Sequence, residues 1–346
     1  MSATMALMCR VADASASRVL RWLPVDPLAL KPDEVRVQVQ VASVNPIDVK
    51  RASGYGQRVL SLMGAGGRDL ILGNDFAGVV TEVGSDVLHV SPGERVWGLV
   101  PTGPQGAHRS EVCVSSRWVR PLPASTLMVS AAVVPYTFTT LWRALRAVGL
   151  NEQNAAGRHV LINGGGGALG QLAIQLLSRW GASVTAVCGG ASAARCLALG
   201  ATRVVNRHAT PLADLPSNCD VTLNFGAWTD EADVIGRLHR TALGHATTVH
   251  PLLGEIDTRG WVSGGLACWR AWRAMRARLR AVAPKARYAW TVFKPDEDAM
   301  KAIQASLLFR PLLLEVAHRA SFEQAESAFA HVGQGLPTRA VLMAQL

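Results

Sequence analysis

The stretch HVLINGGGGALGQLAIQLL, His159 to Leu177, sets four consecutive glycines between an apolar run and a helix-like pattern. A glycine inside a regular element costs about 0.5–1 kcal/mol relative to alanine, so four together mark either a loose turn or a backbone that something must approach closely. Gly165, Gly167 and Gly170 satisfy G-x-G-x-x-G. Between a strand and a helix, the first glycine permits the tight turn and the second lets the backbone meet a pyrophosphate. The third lets the helix pack on the strand. The implied chemistry is anion binding, with uncapped N–H groups and the positive dipole end of the helix facing phosphate. The cradle expected on this pattern is Gly165, Gly166, Gly167, Ala168, Leu169 and Gly170. A glycine-rich hairpin is the plain alternative, and the amphipathic helix that follows at once argues against it.

A site selective for NAD carries Asp or Glu at the end of the second strand, about 20 residues on, to hold the ribose 2′-hydroxyl. That position reads Cys188-Gly189-Gly190, and no acidic residue occurs between Glu152 and Asp214. The same window holds Arg158, Arg179, Arg195, Arg203 and Arg207, with Ser192 and His208 beside them. A 2′-phosphate is repelled by carboxylate and bound by the planar guanidinium fork. Arg158, Arg179 and Arg203 are read as merely solvating helix surfaces. Ser192, Arg195 and Arg207, near the ends of strands two and three, are the candidate phosphate contacts, and NADPH is the expected cofactor.

The elements that must position these residues follow from periodicity. Residues 33–45, DEVRVQVQVASVN, alternate with period two, as a half-buried strand does. Short β-like runs between Gly84, Pro92-Gly93 and Gly98 continue a turn-rich, all-β character to about residue 125. After Pro135 strands and helices alternate. The pattern predicts strand Val160–Asn163, helix Ala168–Trp180, strand Ser183–Cys188, a helix near Ala193–Leu199, and strands Arg203–Asn206, Val221–Phe225 and Thr247–His250. Such alternation implies a parallel sheet with helices on both faces.

Length and composition agree. A chain of 346 residues exceeds one ordinary core, and 49% hydrophobic with 17% charged residues describes a buried globular interior. No apolar run is long enough to span a bilayer. Met1 to Arg10 lacks a signal-peptide core, and Asp13 speaks against an acid-free mitochondrial presequence. Six cysteines, no two closer than eight positions, suit neither a disulfide framework nor a zinc knuckle. A net charge of +10 asks for an anionic partner. Nucleic acid is not the expected one, because no base-stacking motif or recognition helix is found.

The segments SVNPIDVKRASGYG, LGNDFAGVVTEVGSDVLHVSPGERVWGLVP and GAHRSEVCV precede the dinucleotide-binding half. With VPYTFTTLW, VTAVC, TTVHPLLGEID and RYAW, from about residue 5 to 343, they resemble the medium-chain dehydrogenase/reductase superfamily and, within it, the zinc-free quinone oxidoreductase branch. The resemblance implies an α/β fold. A GroES-like β-rich domain over 1–134, completed by 311–346, would join a Rossmann doubly wound parallel-sheet domain over 135–310. It also implies a homodimer and a mitochondrial or cytoplasmic setting. The alcohol dehydrogenases of the superfamily hold zinc with a Gly-His-Glu motif and a cysteine. Asn74-Asp75 stands at the first place and NPID, without cysteine, at the second. A catalytic zinc needs three protein ligands, so a metal-free chain is expected, with Asp75 as a turn residue or buried acceptor. By the same resemblance Asn45 and Thr140 would touch the nicotinamide end of the cofactor. Asn224, Gly226, His250 and Leu252 would line other contacts. Arg339 would stand where the family has lysine, with Thr338 replacing a glycine before it.

Without a Lewis acid, acceptors that are already electrophilic remain, namely quinones and conjugated enones. The proton could come from Tyr55, from Tyr136 or from water, while packing aromatics is the plain role of both tyrosines. Asp48 is read as ordering its own loop. A second class of function stays open, an NADPH-binding adaptor whose activity is protein or membrane interaction. GLACWRAWRAMRARLRAVAPKAR, within 264–287, spaces Leu266, Trp269, Trp272, Met275, Leu279 and Val282 by three and four, with seven basic residues between and after them. Such a helix can lie on an anionic membrane as a peripheral contact, or pack its apolar face inward.

Overall fold

The computed structural model describes residues 3–10 and 18–344, and Asp13 lies outside them. The chain divides into two compact units, Met1–Tyr136 with Lys294–Leu346, and Thr137–Phe293.

In the first unit the strand Glu34–Val44 is central. Val35, Val37, Val39 and, past an irregularity in the register, Ala42 and Val44 turn to the core with Phe76, Val80, Val96, Val112 and Val114. The strand pairs antiparallel with Asp75–Val83, Glu111–Ser115 and Arg339–Met343, inside a seven-stranded sheet. Asp75 heads its strand and is therefore carried to the interior end of Glu34–Val44, where Phe76 faces Ala42. The sequence places the return to this unit at 311, whereas it falls at Lys294. The reason is the helix Glu297–Phe309, whose Met300 and Ile303 are buried and whose Gln304 accepts a hydrogen bond from Trp97 Nε1 at 2.9 Å.

The second unit is a six-stranded parallel sheet. Its order is Arg203–Asn206, Ser183–Cys188, His159–Asn163, Val221–Asn224, Gly244–Thr247 and Arg287–Trp290. In chain order this is third, second, first, fourth, fifth, sixth, the doubly wound arrangement whose switch point lies between the first and fourth strands. The fifth strand is Gly244–Thr247, not the expected Thr247–His250. A Cβ on Gly244 would lie 2.6 Å from the Arg287 carbonyl oxygen, so a glycine is needed inside this ladder. Pro251 then caps the next helix, and Thr248 to His250 are left to cross the end of the sheet.

That next helix, Leu252–Val282, is broken at Gly260, where φ is 76° and ψ 179°. Its two arms fold against each other. A Cβ on Gly264 would meet Glu255 O at 2.5 Å, and Cys268 Sγ lies 3.7 Å from Leu252 O. The apolar residues read as one stripe divide here. Leu279 is buried in the core with Met275 and Val282 packed against it, while Leu266 and Trp269 face outward. None of the six cysteines forms a disulfide, five being buried and Cys113 half-buried. Among the described residues no helix is long and apolar enough to cross a membrane.

Candidate functional site

At the switch point the strand His159–Asn163 ends in the glycine turn. Asn163 Nδ2 donates to Asn224 Oδ1 at 3.0 Å and to Asp230 Oδ2 at 2.9 Å, tying the first and fourth strands at their C-terminal ends. The glycines divide the work differently from the pattern. The left-handed residue of the tight turn is Gly164, with φ +88°, not Gly165. A Cβ on Gly164 would also lie 2.8 Å from the Phe225 carbonyl carbon. Gly165 is needed because a Cβ would sit 2.8 Å from that of Ala186, and Gly166 because Ser192 Oγ would be 2.6 Å away. Gly170 presses on the backbone of Gly164 and Gly165, which is the helix–strand packing role. Gly167 differs from all of these: a Cβ there would have only Gly164 O within reach, at 3.5 Å. The protein leaves the space over Gly167 open. Helix Ala168–Arg179 starts there without a side-chain cap, so N–H donors and room are present together. These residues fit a dinucleotide pyrophosphate.

Around the same edge, Asn224 is fully buried. Its Nδ2 donates to Ala227 O at 2.9 Å and to Glu231 Oε2 at 2.8 Å, and its Oδ1 accepts from Gly226 N at 3.1 Å. Glu231 is the hub behind it, meeting His245 Nε2 at 3.0 Å and the Tyr288 hydroxyl at 2.9 Å through Oε1. Trp290 Nε1 donates to Tyr288 Oη at 2.8 Å, and the Trp290 ring stacks on His250, centroids 4.9 Å apart and planes 6° apart. Burial alone would raise the Glu231 pKa. His245, by charge and hydrogen bond, then Asn224 and Tyr288, outweigh it and hold the carboxyl below its ordinary value. Burial lowers the His250 pKa, which favours the neutral ring. Leu252 opens the helix after Pro251, and Thr140 is buried on helix Pro135–Val148. Arg207 is exposed, with Nε donating to His208 Nε2 at 3.3 Å. Arg195 is half-buried on the short helix Ala193–Ala198.

In the other unit the structure gathers Asn45, Tyr136 and Arg339 around Asp75. Ser43 Oγ donates to Asp75 Oδ2 at 2.6 Å, Asn45 Nδ2 to the same oxygen at 2.9 Å, and Tyr136 N to Oδ1 at 2.5 Å. Arg339 Nη2 donates to Asn45 Oδ1. Asn45 has no exposed surface, and both its amide hydrogens are used, the second on Ser43 Oγ at 3.0 Å. Asp48 accepts from Asn45 N at 2.8 Å and Gly73 N at 3.0 Å, so it orders its loop. Burial lifts the Asp75 pKa to about 6, against Ser43, Asn45, Arg339 and Tyr136, which lower it. Burial, with Asp48 and Asp75, pushes the Tyr136 hydroxyl above its ordinary value. Burial lowers the Arg339 pKa. Tyr55 is half-buried, with the Lys50 ammonium 5.3 Å from its ring centre. Among the described residues no group of three or more His, Cys, Asp or Glu is arranged to hold a metal ion.

Sequence reasoning assigned no site role to Ser43, Asn163, Glu231, His245, Tyr288 and Trp290. Asn163, directly before the glycines at the end of a buried strand, carried a signal. The others reach their partners only through the fold.

A GroES-like β unit and a doubly wound parallel sheet with this strand order define a medium-chain dehydrogenase/reductase. Residues 31–124 match the alcohol dehydrogenase GroES-like domain family. Over 99% of the chain the fold superposes on a quinone oxidoreductase from Coxiella burnetii, covering 100% of it, with a TM-score of 0.79 and 21% identity. The mitochondrial NAD(P)H oxidoreductase RTN4IP1 of Danio rerio is 32% identical over 89% of this chain and 83% of its own length. The mitochondrial reticulon-4-interacting protein 1 of Caenorhabditis elegans is 32% identical over 91% and 88%. The chain belongs to the RTN4IP1 family of NAD(P)H oxidoreductases, in the quinone oxidoreductase-like branch of the superfamily.

Proposed function

We propose that this oxidoreductase uses NADPH to reduce a quinone or a conjugated enone without a metal, in the mitochondrial setting of its named relatives. The observation that carries the cofactor assignment is the glycine turn, open over Gly167 alone and followed by an acid-free edge at Cys188 and Asn206–Arg207. Gly165 to Gly170 would hold the pyrophosphate, and Ser192, Arg195 and Arg207 a 2′-phosphate. Asn224, Gly226, His250, Leu252 and Thr140 would hold the remainder.

Bound NADPH supplies a hydride, and the reduced acceptor then takes up one proton. Tyr136 is a poor source of that proton, because burial and two carboxylates stabilise its neutral form. Tyr55 or solvent is left to supply it. Asn45 and Arg339 act in this reading as positioning residues, their polar groups turned on each other and on Asp75.

Titration should show NADPH binding at least about tenfold tighter than NADH, roughly 1.4 kcal/mol. Replacing Arg195 and Arg207 together by alanine should remove most of that gap, and equal affinities in the parent protein would overturn the assignment. Turnover of a panel of quinones and enones tests the reaction. Tight NADPH binding with no turnover of any of them would favour the adaptor reading.

A further inference from the structure

The second arm of the broken helix, from Trp261 to Val282, carries one stripe spaced by four and three: Val262, Leu266, Trp269, Arg273, Arg276 and Arg280, all exposed except the half-buried Arg276. Its composition changes along the axis. Val262 is 86% exposed, Trp269 50%, Trp261 47% and Leu266 44%, all toward the Gly260 turn. The arginines occupy the other end. Trp269, Trp272, Arg273, Arg276, Ala277 and Arg280 line an open groove of about 500 Å³. Two guanidinium groups lie over indole rings, Arg273 at 5.2 Å from Trp269 and Arg276 at 4.7 Å from Trp272. No acidic residue occurs from Thr258 to Pro295. Among the described residues Arg259 pairs with Glu255 and Arg278 with Asp233, whereas Arg270, Arg273, Arg276 and Arg280 meet no carboxylate.

We infer that this helical hairpin docks on the surface of an anionic phospholipid bilayer, its Gly260 tip in the interfacial layer and its groove on headgroup phosphates. Both halves of the stripe must be matched by one partner. A phospholipid interface takes exposed Trp, Val and Leu at the glycerol level and arginine at the phosphates. A nucleic acid would neutralise the arginines and leave Trp261, Val262 and Leu266 in water. A second copy would bring another acid-free row of arginines against the first. The tip residues are exposed where the helix reverses, so reaching the interface requires no unfolding. The inference is independent of which acceptor the enzyme reduces.

The test is flotation of the full chain with vesicles of phosphatidylcholine alone and of phosphatidylcholine with one third phosphatidylglycerol, at low and high salt. Anionic vesicles should bind at least roughly tenfold more protein at low salt, since each basic residue near such a surface adds attraction that salt screens. The triple variant R273Q/R276Q/R280Q should lose the preference for anionic lipid. W261S/V262S/L266S should retain that preference and release from vesicles at lower salt. Both should keep parental NADPH binding and circular dichroism, which separates loss of docking from loss of fold. Absence of anionic-vesicle binding by the parent protein would overturn the inference, as would unchanged binding by both variants. Disruption of an oligomer by the same variants, with no lipid binding by the parent, would assign the face to a second copy instead.

Discussion

Two buried carboxylates, one in each unit, meet opposite electrostatic fates. Asp75 and Glu231 are 0% and 1% exposed, and each accepts three hydrogen bonds. Yet the Asp75 pKa rises to about 6 while that of Glu231 falls. The number of donors does not separate them. The placement of the basic partner does. His245 touches Glu231 at 3.0 Å, whereas Arg339 bonds to Asn45, which in turn bonds to Asp75. A contact of the first kind offsets desolvation, and a relayed one does so only partly. Glu231 is thus a fixed anchor behind the glycine turn, through Asn224 and Asn163. Asp75 stays close to a change of charge near neutral pH, which is the condition that functional carboxylates tend to occupy.

The comparison breaks most visibly at the anchor. Glu231→Ala should leave His245, Tyr288 and Asn224 without their shared acceptor and destabilise the protein by about 3–5 kcal/mol. The shift in denaturation midpoint measures this, and a loss below about 1 kcal/mol would show that Glu231 anchors nothing.

Next in size is the pH dependence. The folded-state pKa of Asp75 lies above the unfolded value, so its contribution to stability is fully present below pH 3.8. It is lost as the pH rises through about 6, by up to about 3 kcal/mol. Glu231 has the reverse sign, contributing above its ordinary 4.5 and losing that contribution as the pH falls through its lowered folded value. Between about pH 4 and 7, unfolding curves should therefore show the parent protein losing stability relative to Asp75→Asn. Relative to Glu231→Gln, the loss should come on the acid side. Parallel pH profiles for the parent and Asp75→Asn would mean that the carboxyl does not titrate in this range.

The smallest of these effects concerns the loop that Glu231 supports. Gly167→Val should weaken NADPH binding by about two orders of magnitude, roughly 2.7 kcal/mol, because the side chain fills the one open position of the turn. Apo stability should change by only about 1 kcal/mol, the cost of losing a favoured residue at the helix N-cap. Gly170→Val drives carbons into the backbone of Gly164 and Gly165, so stability should fall together with affinity. Calorimetric titration and thermal unfolding separate the two. Normal NADPH binding by Gly167→Val would show that the turn does not meet the cofactor.

Local order was legible in the sequence wherever period and turn chemistry agree, as in the strand Glu34–Val44, the glycine turn and the strand Ser183–Cys188. Elsewhere a local signal misled. TTVH has strand composition, but Gly244 sets the start of the strand and Pro251 starts the next helix. The spacing of Leu266, Trp269, Met275 and Leu279 is helical, but it cannot say which residues the core takes. The anchors were the least legible. Arg339 lies 294 positions from Asn45, and Tyr288 lies 57 from Glu231. Such partners meet through the order of strands in a sheet, which no window of sequence contains.

The buried, unpaired cysteines have a consequence for durability. Quinones and enones are electrophiles that add to thiolates, so under the reaction proposed above the enzyme would risk alkylation by its own substrates. Burial pushes the thiols of Cys9, Cys196 and Cys219 up to about 12 and that of Cys113 to about 11, and raises Cys268 as well. At neutral pH these groups remain protonated and poorly nucleophilic. The native chain should therefore leave most of its thiols unlabelled by maleimide until it is denatured, a chemical inertness suited to repeated exposure to reactive acceptors.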